Sequence, residues 1–140
     1  MPKSGPIIIV DDDSDDQDLM KDILIEMEVK NEVVFFENGK DALEYLQSTT
    51  RQPFIILCDI NMPVMNGIEF RRQINKSEYL RRKSVPFIFL STTASQVVVA
   101  EAYEMTVQGF FKKEQTIAGI RSMLRQIIDY WQVCRHPNSP

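Results

Sequence analysis

Five short apolar runs recur along the 140-residue chain, and each ends abruptly in polar residues: "PIIIV", "EVVFFEN", "PFIILCD", "VPFIFLS" and "GFFKK". They are rich in β-branched and aromatic residues and too short for helices, so they read as strands, most of them buried on both faces. The segments between them have helical spacing. Leu19, Ile23, Leu24 and Met27 form one stripe, with Ser14 or Asp13 available as its cap. Ala42, Leu43 and Leu46 form a second, and Phe70 and Ile74 mark a third helix beginning near Ile68. "SQVVVAEAYEM" reads as a helix despite its three valines, and Ile117, Ile120, Leu124, Ile127 and Trp131 define the last. Strand then helix, five times over, predicts an α/β fold: a (βα)5, doubly wound, five-stranded parallel sheet with right-handed crossovers. The length suits one domain covering residues 1–140, with a core from about 6 to 131, a short tail 132–140, and an unstructured "HPNSP" at its end.

In an open parallel sheet, ligands bind beyond the carboxyl ends of the strands. The first strand delivers Asp11, Asp12 and Asp13 there. The third delivers Asp59 and then Asn61, the fourth Ser91, Thr92 and Thr93, and the fifth Lys112 and Lys113. Hard oxygen donors converging in this way suit Mg²⁺, which takes one or two carboxylates and keeps several waters. A divalent cation is therefore the charge that the "DDD" cluster lacks. Asp13, Asp15 and Asp16 have a plainer reading, as acids complementing a helix N-terminus.

Other classes are disfavoured. A net charge of −4 argues against nucleic acid as a partner. No apolar run approaches a membrane span, and the start lacks a signal-peptide core, so a cytoplasmic protein with no membrane association is expected. Cys58 and Cys134 have no CxxC spacing and read as plain thiols, and a single His136 in a polar tail cannot build a His-rich metal site.

"VDDD", "CDINMPVMNG", "FLST" and "GFFKK", in that order and each at a strand end, resemble the receiver domain of bacterial two-component response regulators, from about Ile7 to Trp131. The most specific element is Asp-x-x-Met-Pro-x-x-Asn-Gly, Asp59 to Gly67. The resemblance implies a flavodoxin-like strand order 2-1-3-4-5. It implies that Asp59 is the phosphoacceptor for a sensor histidine kinase or phosphotransfer protein. It further implies that Asp11, Asp12, Asp59 and the Asn61 carbonyl hold Mg²⁺, with Asp11 acting largely through water. Ser91 and Lys113 would engage the phosphoryl group, with Ser91 and Phe110 forming the switch. The domain would not be an enzyme, beyond its own phosphotransfer and dephosphorylation. Three positions depart from the usual pattern. Thr92 replaces a small residue, Phe110 lacks a tyrosine hydroxyl, and Glu114 replaces the proline after the lysine. Since a cis bond before a residue other than proline costs roughly 2.5–4 kcal/mol, Lys113-Glu114 is expected to be trans, with Glu114 facing solvent.

Two rival readings are weaker. A haloacid-dehalogenase-type phosphohydrolase needs a general acid two residues after the nucleophile, where Asn61 stands, and a cap insertion that is missing. A degenerate receiver acting as a constitutive interaction module is disfavoured because every site residue is present. With nine residues after Trp131, output is expected through binding to a downstream protein or to a second copy. Val97, Val98, Val99 and Tyr103 exceed what one buried helix face needs and are candidates for a homodimer surface. "DYWQVCRHPN" resembles the ends of small regulators partnered with phytochrome-type or other sensor kinases.

Overall fold

The computed structural model describes residues 2–92 and 94–135, so Thr93, His136 and the rest of "HPNSP" lie outside the described residues. Strands β1 (Ile7–Val10), β2 (Val33–Phe36), β3 (Ile55–Cys58), β4 (Phe87–Ser91) and β5 (Gly109–Lys112) form one parallel sheet in the order β2-β1-β3-β4-β5. Ile7 is in register with Val33 on one side and Ile55 on the other. Every residue of the three central strands is buried, while β2 and β5 are half-buried edges.

The two-residue period of a strand divides the core into two layers. Ile7, Ile9, Ile55, Leu57, Ile88 and Leu90 face helices α1 (Ser14–Glu26) and α6 (Ile117–Val133). Ile8, Val10, Ile56, Cys58, Phe87 and Phe89 face α2 (Gly39–Ser48), α3 (Gly67–Lys76) and α5 (Gln96–Glu104). Each fully buried Ile, Leu or Phe contributes about 1.5–3 kcal/mol, so both layers are needed to hold the sheet. The caps are polar side chains of the expected kind. Asp13, rather than Ser14, caps α1 by accepting from Asp15 N–H and Asp16 N–H, and Asn66 caps α3 by accepting from Glu69 N–H.

The chain departs from the predicted elements in two places. The third crossover holds two helices, because Ser77 both ends α3 and caps a short α4 (Glu78–Lys83) by accepting from Leu80 N–H. Six α-helices thus accompany five strands among the described residues. Ile117 is exposed rather than inward, since it opens the first turn of α6 at the rim, and Met123 and Ile128 fill the core beside Ile120, Leu124 and Ile127. Of the valines in α5, Val98 packs against the core while Val97 stays exposed.

Candidate functional site

The strand order makes β1 and β3 neighbours, and this brings their terminal aspartates together. Hydrogen bonding continues past the strand ends. Asp11 N–H donates to Phe36 C=O (2.9 Å), Asp59 N–H to Val10 C=O (2.8 Å) and Lys113 N–H to Ser91 C=O (2.8 Å). The backbone is therefore fixed where the functional side chains leave it. Asp11, Asp12 and Asp59 each place a carboxylate oxygen within 4.8 Å of the other two. Although two strands separate β5 from β1, Lys113 Nζ reaches Asp11 Oδ2 at 2.7 Å and Asp59 Oδ2 at 3.6 Å.

The carboxylates are not equivalent. Asp11 is buried. Its Oδ1 accepts from Asp13 N–H and its Oδ2 from Lys113 Nζ, so both oxygens are engaged. Asp12 is exposed. Asp59 is intermediate, with its side chain 12 % exposed, which leaves it within reach of a partner. Its Oδ1 accepts from Ile60 N–H at 2.7 Å, leaving Oδ2 as the oxygen facing Lys113. Gly67 begins α3 directly behind it. A Cβ at this position would collide with the Asp59 carbonyl oxygen and crowd Phe89. In the loop between them, Val64 sits at φ 68°, a backbone region that disfavours β-branched residues, and Met65 N–H donates to Pro63 C=O across it (2.7 Å).

Burial pushes the Asp11 carboxyl above the usual range; hydrogen bonds from Lys113 and Asp13 and the charge of Lys113 oppose this, and the charge of Asp59 adds to it. Burial likewise raises Asp59, opposed by the charge of Lys113 and the Ile60 N–H, with the charge of Asp12 adding to the rise. Desolvation, more than repulsion between neighbours, is thus what makes these carboxylates hard to ionise. Burial alone would lower the Lys113 ammonium, but its hydrogen bonds to Asp11 and Asp16 and their charges more than reverse this, and it is held above the ordinary lysine range. One ammonium faces three carboxylates (Asp11, Asp16 and Asp59), and Asp12 stands beside Asp11 and Asp59 as a fourth, so negative charge is left over. Hard oxygen donors in negative excess, one buried and one exposed, fit a divalent cation.

Ser91 is fully buried at the end of β4. Phe110 is half-buried on β5 and packs against Phe89, with ring centroids 6.0 Å apart. Asn61 and Thr92 are exposed. No peptide bond among the described residues is cis, so Lys113-Glu114 is trans, and Glu114 is exposed. Lys112 is exposed while Lys113 turns inward. The site also includes a residue that sequence reasoning set aside. Asp16 Oδ2 accepts from Lys113 Nζ at 2.7 Å, as short as the bond to Asp11. The usable signal is its position four residues before the buried Met20, on the inward stripe of α1.

A sequence profile of the response regulator receiver domain matches residues 7–125. Response regulator Rcp1 of Synechocystis sp. is 25% identical over 130 residues, which are 89% of this chain and 87% of Rcp1. Chemotaxis protein CheY-3 of Vibrio cholerae is 28% identical over 91% of this chain and 94% of its own length. Among solved structures, the phosphorylated cyanobacterial phytochrome response regulator RcpA superposes with a TM-score of 0.86 at 25% identity, covering 95% of this chain and 98% of RcpA. The Mn²⁺-bound form of Rcp1 superposes with a TM-score of 0.84 at 25% identity, covering 94% and 98%.

Proposed function

The chain belongs to the response regulator receiver domain family of two-component signalling, and from that premise we propose that phosphorylation of Asp59 switches it. The observation that carries this reading is the convergence on Asp59: two further carboxylates within 4.8 Å, and an ammonium 3.6 Å from the Oδ2 that its own backbone leaves open. Asp59 Oδ2 attacks the phosphorus of a phosphohistidine on a sensor kinase or phosphotransfer protein. An O–P bond forms, the N–P bond breaks, and its electron pair returns to the imidazole. Asp11, Asp12 and Asp59, with the Asn61 carbonyl, would hold Mg²⁺. When bound, that ion supplies positive charge against the transferred phosphoryl group. Lys113 neutralises part of the same charge, and Asp11 and Asp16 keep its ammonium at the site while no phosphoryl group is there.

The acyl phosphate adds nearly two negative charges and three acceptor oxygens. Lys113 and Ser91 then have a new partner, and a shift of Ser91 opens space for the Phe110 ring. With no hydroxyl on that ring, the switch rests on packing alone. The signal leaves by altered binding at the face of α5, β5 and α6, where Val97 (79 % exposed) and Tyr103 (51 % exposed) offer apolar surface to a downstream protein or a second copy. No helix among the described residues is long and apolar enough to cross a membrane, and the chain is proposed to work in the cytoplasm beside its kinase.

Labelling with acetyl phosphate and Mg²⁺ tests the assignment. The expected product is one hydroxylamine-labile phosphate on Asp59, absent from Asp59→Asn, which should fold normally. Equal labelling of that variant would falsify the phosphoacceptor, and an acid-stable phosphate would point to different chemistry.

A further inference from the structure

At the opposite end of the sheet a cavity of about 350 Å³ opens where α3, α4 and the α5–β5 turn meet the starts of β3 and β4. Its chemistry is the reverse of the phosphorylation edge. Arg71, Arg81 and Lys83 line it and no carboxylate does, in a chain whose net charge is −4. Ile56, Ile74 and Leu80 give it an apolar wall.

Arg71 is the buried member, at 8 % exposure. Its guanidinium lies over the Phe87 ring, 5.1 Å from the centroid. Nε donates to Met105 C=O and Nη2 to Thr106 C=O, both at 3.1 Å. Nη2 also donates to Thr106 Oγ1 at 3.4 Å, so these bonds hold the end of α5 and occupy both Nε and Nη2. Nη1 donates to no described residue, and no described carboxylate lies within ion-pair distance of the guanidinium. Burial without an anion pulls Arg71 down to about 10. Arg81, one helix away, is exposed and joins no ion pair among the described residues. Lys83 Nζ is fastened to Thr49 C=O and Arg51 C=O, 3.1 Å each, which keeps its charge near the rim.

We propose that this cavity binds a small amphiphilic anion, with its carboxylate or phosphate head on Arg71 and Arg81 and its apolar body against Ile56, Ile74 and Leu80. Nη1 keeps its N–H groups for such a head, Arg81 supplies further donors, and charge-assisted bonds of this kind are roughly twice as strong as neutral ones. A cavity of this size falls at the small end of ligand pockets, which run from about 300 to 1,000 Å³.

Octanoate and octyl phosphate serve as probes of the two head groups, titrated into the isotope-labelled chain and followed by amide chemical shifts. Saturable shifts are expected at residues 71–75, 80–84 and 105–108, and not around Asp59. Octanol, with the body and no charge, and inorganic phosphate, with the charge and no body, should each bind about tenfold more weakly, a difference of about 1.4 kcal/mol. Whichever of octanoate and octyl phosphate binds more tightly identifies the head. Arg81→Gln, an exposed change compatible with folding, should weaken both probes several-fold, and Arg71→Gln should weaken them further if it folds. Asp59→Asn should bind as the parent does, so this test stands apart from the phosphoacceptor assignment. Octanol binding as tightly as octanoate, no effect of Arg81→Gln, or shifts confined to other surfaces would each overturn the proposal.

Discussion

Lys113 and Arg71 stand at opposite ends of one sheet with similar burial, the first with a side chain 10 % exposed and the second 8 % exposed as a residue. Lys113 is surrounded by full negative charges that outnumber it. Arg71 is met by the partial charges of two carbonyls at the end of α5 and by the face of a phenyl ring. The side chains suit these settings. An ammonium on a flexible stem can leave one oxygen for another, as a site proposed to gain and lose a phosphoryl group requires. A planar fork matches carbonyls that do not move, and the C-terminal end of a helix favours a cation in any case. Charge at the first end is held ready for rearrangement, while at the second it fastens one element to another.

The largest expected effect separates the two directly. Without metal at neutral pH, Lys113→Met should cost about 3–5 kcal/mol, because it strands buried Asp11 among like charges. Arg71→Met should cost only about 1–2 kcal/mol, since carbonyl bonds are lost but a desolvated charge is lost with them. Urea melts of both variants decide this, and equal costs would erase the distinction. Mg²⁺ comes next. At a hundredfold excess over its dissociation constant it should add about 2.7 kcal/mol to the folded state. Asp12→Ala should abolish that gain while slightly stabilising the metal-free protein, and an unchanged response would place the ion elsewhere. Arg71→Met should respond to Mg²⁺ as the parent does.

A smaller effect is the slope with pH. Asp11 and Asp59 have folded pKa values raised above the usual carboxylate value, so the folded state holds their protons more tightly than the unfolded state does. Their contribution to stability is present below that window and falls as pH rises through it. Metal-free Asp59→Asn should therefore gain on the parent from pH 4 to pH 7, and parallel stability curves would contradict the burial of Asp59. Smallest of all, Val64→Gly should relieve backbone strain in the loop after Asp59, for a gain of about 1 kcal/mol in a thermal melt. A loss would mean that the valine side chain makes a contact worth more than the strain.

Much of the acidic end was legible because strand ends announce themselves: an apolar run stops, and polar candidates follow at the sheet's edge. Asp11, Asp12, Asp59, Ser91 and Lys113 were all named as candidates in this way, and the parallel sheet carries them at one edge. Asp16 was not, because first-turn acids have a default role at helix ends. Whether one of them turns inward depends on a lysine 97 residues away. The split at Ser77 was hidden for a related reason: a serine within an otherwise helical stretch reads as a tolerated residue until its hydroxyl is seen to cap the next turn. Ile117 ran against expectation because a helical stripe gives a direction and not its limits, and the rim of the sheet decides which end of the stripe is covered. The basic end left no trace in sequence order. Arg71, Arg81 and Lys83 come from two helices, and only the fold removes every acid from their company.

The missing side chain at Gly67 has a mechanical consequence. With no room for even one carbon between the start of α3 and the Asp59 carbonyl, the helix and the backbone of the proposed phosphoacceptor form a single anvil. A load placed on Asp59 meets packed backbone on that side, so in the proposed switch displacement runs the other way, toward Ser91 at the end of β4 and Phe110 on β5. If Asp59 carries the phosphoryl group as proposed, the direction in which the signal leaves it is set in part by an atom the chain does not have.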